Sequence, residues 1–169
     1  MKKLLFGLLA LGLTTQSYSQ IIKTEELSEV VVVATNFKYL NDVNSEEVAS
    51  IPVELLQRKV AAYDVKDSEF YQDEYGVYNI TFYIPQGKIL AEYNGEGKIV
   101  RTIERFKNIN LPMSVKKAVL DKYPKWTITK DIYMVSYTDN SGSKKTYKLK
   151  LENGGETIRV KTDGNGNFL

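Results

Sequence analysis

The stretch NLPMSVKKAVLDKYPKW, beginning at Asn110, restates in outline what the chain writes 60 residues earlier as SIPVELLQRKVAAYDVK, beginning at Ser50. Each copy opens on a helix-capping residue type, Ser50 or Asn110, followed by an apolar residue and a proline: Ile51-Pro52 and Leu111-Pro112. Proline suits a first helical turn, where its missing N–H would have had no partner. Leu55, Val60 and Tyr63 recur as Val115, Leu120 and Tyr123. At roughly 100° per residue these positions share an arc of about 140°, the width of a core-facing stripe. The spacing therefore predicts two helices of about three turns, stopped by Asp64 and Pro124. Helices so short are marginal alone and must dock on something.

Strand patterns follow each predicted helix. In VYNITFYI (Val77–Ile84), Tyr78, Ile80, Phe82 and Ile84 share one face. GKILAEY, the turn NGEG and KIVRTIERF read as a hairpin, because Asn-Gly accepts positive φ cheaply. In the second copy IYMVSYT aligns Tyr133, Val135 and Tyr137, DNSGSK is a turn, and TYKLKLENGGETIRVKT is a hairpin around Asn153-Gly154-Gly155. The closing IRVKTDGNGNFL matches ILAEYNGEGKIV at an offset of 69 rather than 60, so the second copy has gained residues within its strands. Upstream, VVVVA (residues 30–34) is a run of β-branched residues that predicts a buried strand. NFKYLNDVNSEE after it reads as a connection with some strand. One small unit buries little apolar surface, whereas two that share a sheet or a helix layer bury more. The expectation is an α+β protein of two tandem repeats, residues 50–108 and 109–169, with short helices packed on antiparallel sheet. Residues 20–49 form an N-terminal segment with one strand.

The first 19 residues read differently. MKK is a basic start, LLFGLLALGLTT an apolar core, and QSYSQ a small polar end, the pattern of a secretory signal peptide cleaved after Ser19. The apolar stretch is too short to span a membrane. With no cysteine, a lipoprotein anchor is excluded. These features point to a periplasmic or secreted protein. Loss of Lys2 and Lys3 brings the 23 Lys and Arg level with the 21 Asp and Glu, so a neutral processed chain gathers anions only through local patches.

The absence of histidine and cysteine excludes Ser-His-Asp and Cys-His triads and most zinc sites. The reading is of a non-enzymatic chain with no cofactor. Tyrosine is abundant, at 12, and supplies large buried area with a polar tip to a chain that has no disulfides.

LPMSVKKAVLDKYPKW, IYMVSY, KLKLENG and DGNGNFL together resemble the PepSY-like family of small exported bacterial proteins, similar in fold to β-lactamase inhibitor protein. The landmarks are Pro112, Tyr123-Pro124, Trp126 and the closing turn at Asp163, where Gly164 follows at once. The first copy departs, with Asp64 and Lys66 where Pro and Trp would stand. The resemblance spans roughly residues 51–169. It implies a tandem helix-plus-antiparallel-sheet fold and an exported binding or inhibitory module, and it carries over no catalytic residue.

Several stretches invite chemistry. Lys148, Lys150, Arg159 and Lys161 alternate with Leu149, Leu151, Ile158 and Val160, so if the two strands pair, the four cations form one solvent face that could meet an acidic partner. DSEFYQDEY (residues 67–75), with Tyr71 and Tyr75, mixes acids and aromatics and reads as an exposed protein-binding strand. DGNGN at Asp163 begins like a calcium loop but lacks the later bidentate Glu, so a tight turn is the plainer reading. GEGK at Gly95 opens a strand rather than a helix and is no phosphate loop. ELSEVVVVATN at Glu26 looks like the opening of a TonB-dependent receptor plug, with a strand as the simpler alternative. Trp126 reads as an anchor between helix and sheet. The function expected is the binding, with or without inhibition, of a protein or peptide through the sheet face. The alternative is a carrier of an anion, a glycan or calcium.

Overall fold

The computed structural model describes residues 34–44 and 51–169. A turn of 3₁₀ helix, Ala34–Asn36, leads into α1 (Phe37–Val43), which is followed by α2 (Ile51–Ala61), β1 (Val77–Ile84), β2 (Gly87–Asn94), β3 (Ile99–Lys107), α3 (Met113–Lys122), β4 (Thr127–Thr138), β5 (Gly142–Asn153) and β6 (Glu156–Thr162). The strands form one open sheet in the order β1-β2-β3-β4-β5-β6, each antiparallel to its neighbour. The α+β class and the antiparallel sheet are therefore as the residue patterns require. Of the predicted VVVVA strand only Ala34 falls among the described residues, and there it is helical. No described helix is long and apolar enough to cross a membrane.

Alternation decides which face of the sheet is inside. Tyr78 and Phe82, Ile89 and Tyr93, Tyr133, Val135 and Tyr137, and Tyr147, Leu149 and Leu151 are all buried in one core, with Val53, Leu56, Val60, Val115 and Val119 from the helices. Each large apolar side chain moved fully out of water there stabilises the fold by roughly 1.5–3 kcal/mol. Their sequence neighbours project from the other face, and no described helix covers them. Gly87 is required where β2 crosses close to β3, since a Cβ there would lie 2.0 Å from the Arg105 carbonyl oxygen.

The two halves of the sheet share a register. Across β1 and β2, Tyr78, Ile80 and Phe82 face Tyr93, Ala91 and Ile89. Across β5 and β6, Tyr147, Leu149 and Leu151 face Thr162, Val160 and Ile158, each 69 positions later. The turns that follow match as well. The Asn94 side-chain oxygen accepts the N–H groups of Glu96 (3.1 Å) and Lys98 (2.9 Å), with Gly97 at φ 81. An Asp163 oxygen accepts those of Asn165 and Asn167, both at 2.9 Å, with Gly166 at φ 86. Tyr93 then pairs with Ile99 as Thr162 pairs with Phe168. Counted back by the same 69 positions, β4 falls on residues that are helix and turn rather than strand.

Four expectations are corrected, three of them by the helices. NFKYLNDV is not a connection with strand but α1, held by Tyr39 and Val43 in the core. Leu55 and Leu120 do not face the core; they are 48% and 56% exposed, while Leu56 and Val119 are buried instead. Each helix offers two adjacent apolar residues, and a periodicity count cannot tell which one points inward. The buried pairs Leu56/Val60 and Val115/Val119 lie 59 positions apart, one residue off the apparent alignment. Asn110 does not cap α3, whose N-cap position is Pro112; the Asn110 side chain accepts instead from Lys116 Nζ at 3.1 Å. Finally, residues 64–76 are a series of turns and bends, not a strand.

Two buried polar side chains tie the layers together. Glu104, with 0% exposure, accepts from Tyr39 Oη of α1 (2.8 Å), Gln57 Nε2 of α2 (2.7 Å) and Thr102 Oγ1 (3.2 Å). Burial pushes its pKa up, and these donors partly offset the shift. Asn36 donates to Ala61 O (3.0 Å) and accepts from Ile99 N (2.8 Å), joining the start of α1 to α2 and β3.

Candidate binding face

The β5–β6 hairpin turns at Asn153 with Gly154 and Gly155, both at positive φ, and this sets the register of the strands that carry the predicted cations. Lys148 lies opposite Lys161, and Lys150 opposite Arg159. All four are thus on one face, the one that no described helix covers. Of these four cations only Lys150 has an ion-pair partner among the described residues, Glu152. That contact holds the Glu152 carboxyl below its ordinary range.

The basic character extends well beyond these four. Lys130 pairs with Lys150, and Lys144 with Ser136 of β4. Arg101, Arg105 and Lys107 of β3 and Lys88 of β2 belong to the same face through the register β2-β3-β4. The face therefore presents ten cations, against the acids Glu92 and Glu152. On β2 and β3, between Lys88/Arg105 and Glu92/Arg101, Leu90 and Ile103 lie opposite each other, 36% and 39% exposed. A groove of about 340 Å³ runs among Lys130, Ile132, Lys148, Lys150, Arg159 and Lys161. A wider depression of about 680 Å³ continues it past Arg105, Lys107 and Lys88 to Tyr83. The two share Lys130, Asp131 and Ile132. Asp131 accepts from Ile109 N at 3.1 Å, and burial raises its pKa.

Residue patterns alone missed the cations of β3. In RTIERFK, Ile103 points out and Glu104 points in, the reverse of what polarity suggests. The donors that satisfy Glu104 lie 47 and 65 residues away, so no local signal reveals them.

Tyr71 and Tyr75 belong elsewhere. Tyr71 stacks on Tyr78, with centroids 5.5 Å apart, and Tyr75 meets the same ring edge-on at 6.3 Å. They lie at the β1 edge, so the six predicted site residues form two groups rather than one. Trp126 is half-buried and packs against the core just after α3. The closing turn is a hydrogen-bonded turn: the Asp163 carboxylate is engaged by Asn165 N, Asn167 N and Asn167 Nδ2, which lower its pKa. Among the described residues no three acidic side chains gather as a metal site.

This arrangement can attract, orient and partly desolvate an anionic surface. Exposed apolar residues flanked by charged ones suit a protein-binding patch. Comparison with models of protein families finds no match, and neither the curated proteins nor the solved structures contain one.

Proposed function

We propose that the chain is an exported, non-enzymatic interaction module, built as a tandem duplication of the PepSY-like kind, that binds an acidic protein partner across its uncovered sheet face. One observation carries this reading: among the described residues every helix contributes to one side of the sheet, and the other side holds ten cations against two acids. Like charges placed opposite each other in a sheet cost stability. Their concentration on one face of a chain that is nearly neutral overall is explained by a partner that neutralises them. The shared 69-residue register of the hairpins supports the duplication. The apolar N-terminus supports export.

The test uses poly-L-glutamate as the probe, titrated by calorimetry at low and physiological salt. The K148E/R159E double variant is expected to lose at least about 10-fold in affinity, since every 1.4 kcal/mol is tenfold. A control reversal at Lys116 and Lys117 on α3 leaves the affinity unchanged. Equal loss in both variants removes the face from the account. A second reading, a carrier of a small anion or an anionic glycan, rests on the groove of about 340 Å³ among the β4–β6 cations. It predicts that sulfate or a sulfated oligosaccharide raises the Tm where polyglutamate does not.

A further inference from the structure

The matching registers leave one place unfilled. By the 69-residue correspondence β1 is the counterpart of β5, and β5 is covered along its length by β4. Among the described residues β1 has β2 on one side and no strand on the other. We propose that the free edge of β1 is a second docking site, distinct from the basic face, that takes an extended segment of another polypeptide as an added antiparallel strand.

The edge is equipped for pairing. The Asn94 N–H bonds Lys98 O at 2.9 Å, away from β1, so Val77 and Asn94 do not exchange hydrogen bonds. Antiparallel alternation then turns the backbone N–H and C=O groups of Asn79, Thr81 and Tyr83 outward. Natural edge strands usually protect themselves with lysine, proline, a bulge or a short length. VYNITFYI has none of these: it is eight residues long, uncharged and without a register shift. Exposed apolar side chains line it, with Val77 at 52% and Tyr83 at 69%. Phe70 and Tyr75, 49% and 52% exposed, flank its start against Tyr78.

Charge identifies the occupant. The segment just before β1 carries Asp64, Asp67, Glu69, Asp73 and Glu74, all exposed, against the single base Lys66. An antiparallel newcomer places its C-terminal end beside these acids. The partner segment therefore alternates large apolar side chains, as β4 does with Tyr133, Val135 and Tyr137, and ends in lysine or arginine. Main-chain pairing supplies the affinity and the alternate pockets the selectivity, as in other strand-addition complexes.

The probe is a fluorescent peptide with the β4 sequence TITKDIYMVSYT and two lysines added at its C-terminus, titrated by anisotropy into the intact chain. Saturable binding is expected, with slowed amide exchange at Asn79, Thr81 and Tyr83. Thr81→Pro removes an outward N–H and should weaken binding at least about 10-fold, since an edge strand tolerates proline on that side. Exchange mapping on the unaltered chain decides the matter independently of how well that variant folds. Equal binding of a scrambled peptide, unchanged affinity in Thr81→Pro, or no protection at the three amides overturns the proposal. So does protection that grows with protein concentration in the absence of peptide, which would assign the edge to a second copy. The K148E/R159E variant should bind this peptide normally, so failure here and failure of the basic-face reading are separable.

Discussion

Lys148 of β5 stands directly across the strand pair from Lys161 of β6, two cations in register with no acid between them. A chain selected for stability alone would alternate the signs here. Lys161→Glu should therefore raise stability, by up to about 1 kcal/mol, and at the same time weaken polyglutamate binding. Chemical denaturation and the titration described above check both halves. A variant that gains stability without losing affinity would make the charge pair incidental.

Glu104 gives a pH signature. Its folded pKa lies above the ordinary 4.5 because burial disfavours the carboxylate. The folded state then holds a proton that the unfolded chain has released, in the window just above 4.5. The ionised group opposes folding above its folded pKa, and that opposition fades as pH falls toward the unfolded value. Glu104→Gln removes the titration, so the stability difference between the unaltered chain and this variant should move in favour of the unaltered chain between pH 7 and pH 4. Glu104→Leu should cost about 3 kcal/mol at pH 7, and more as the pH falls toward 4, because Tyr39 Oη and Gln57 Nε2 lose their acceptor. Urea denaturation at several pH values measures both.

Gly166 fastens the closing turn to α3. Its φ is 86, and a Cβ would lie 2.7 Å from Ser114 O and 2.9 Å from Ala118 Cβ. Ser114 Oγ also donates to Gly164 O at 2.7 Å. Gly166→Ala should destabilise the chain by about 2 kcal/mol, combining a strained backbone with a clash. Amide exchange should accelerate first in α3. Gly97→Ala shares the positive φ but meets no atom within 4 Å, so it should cost less.

Asp163 separates a turn from a cation site. Its carboxylate already serves Asn165 and Asn167, and its pKa is lowered by those bonds. The contribution to stability is present above the ordinary 3.8 and is lost as pH falls through the folded pKa. Millimolar calcium should leave the Tm unchanged. A calcium-dependent rise that Asp163→Asn abolishes would restore the carrier reading.

Alternation made β1 and the β5–β6 hairpin legible, because Tyr78, Phe82, Leu149 and Leu151 bury where their period places them. The cationic stripe of Lys148, Lys150, Arg159 and Lys161 was legible for the same reason. α1 was not: its seven residues form a helix through Tyr39 bonding Glu104, a contact 65 residues distant. The inward faces of α2 and α3 were ambiguous because Leu55/Leu56 and Val119/Leu120 are adjacent apolar pairs. The full breadth of the basic face stayed hidden because Ile103 and Glu104 exchange their customary sides. Such inversions depend on tertiary partners and leave no local trace.

The central claim is that the uncovered, cationic side of the sheet is where a partner sits. The most direct measurement is a two-dimensional amide NMR titration of the intact chain with poly-L-glutamate. The account predicts shifts concentrated at Lys88, Arg105, Lys130, Lys148 and Lys161 and fading with added salt, while α2 and α3 stay still. Shifts confined to the helices, or spread evenly over every exposed lysine, would contradict it.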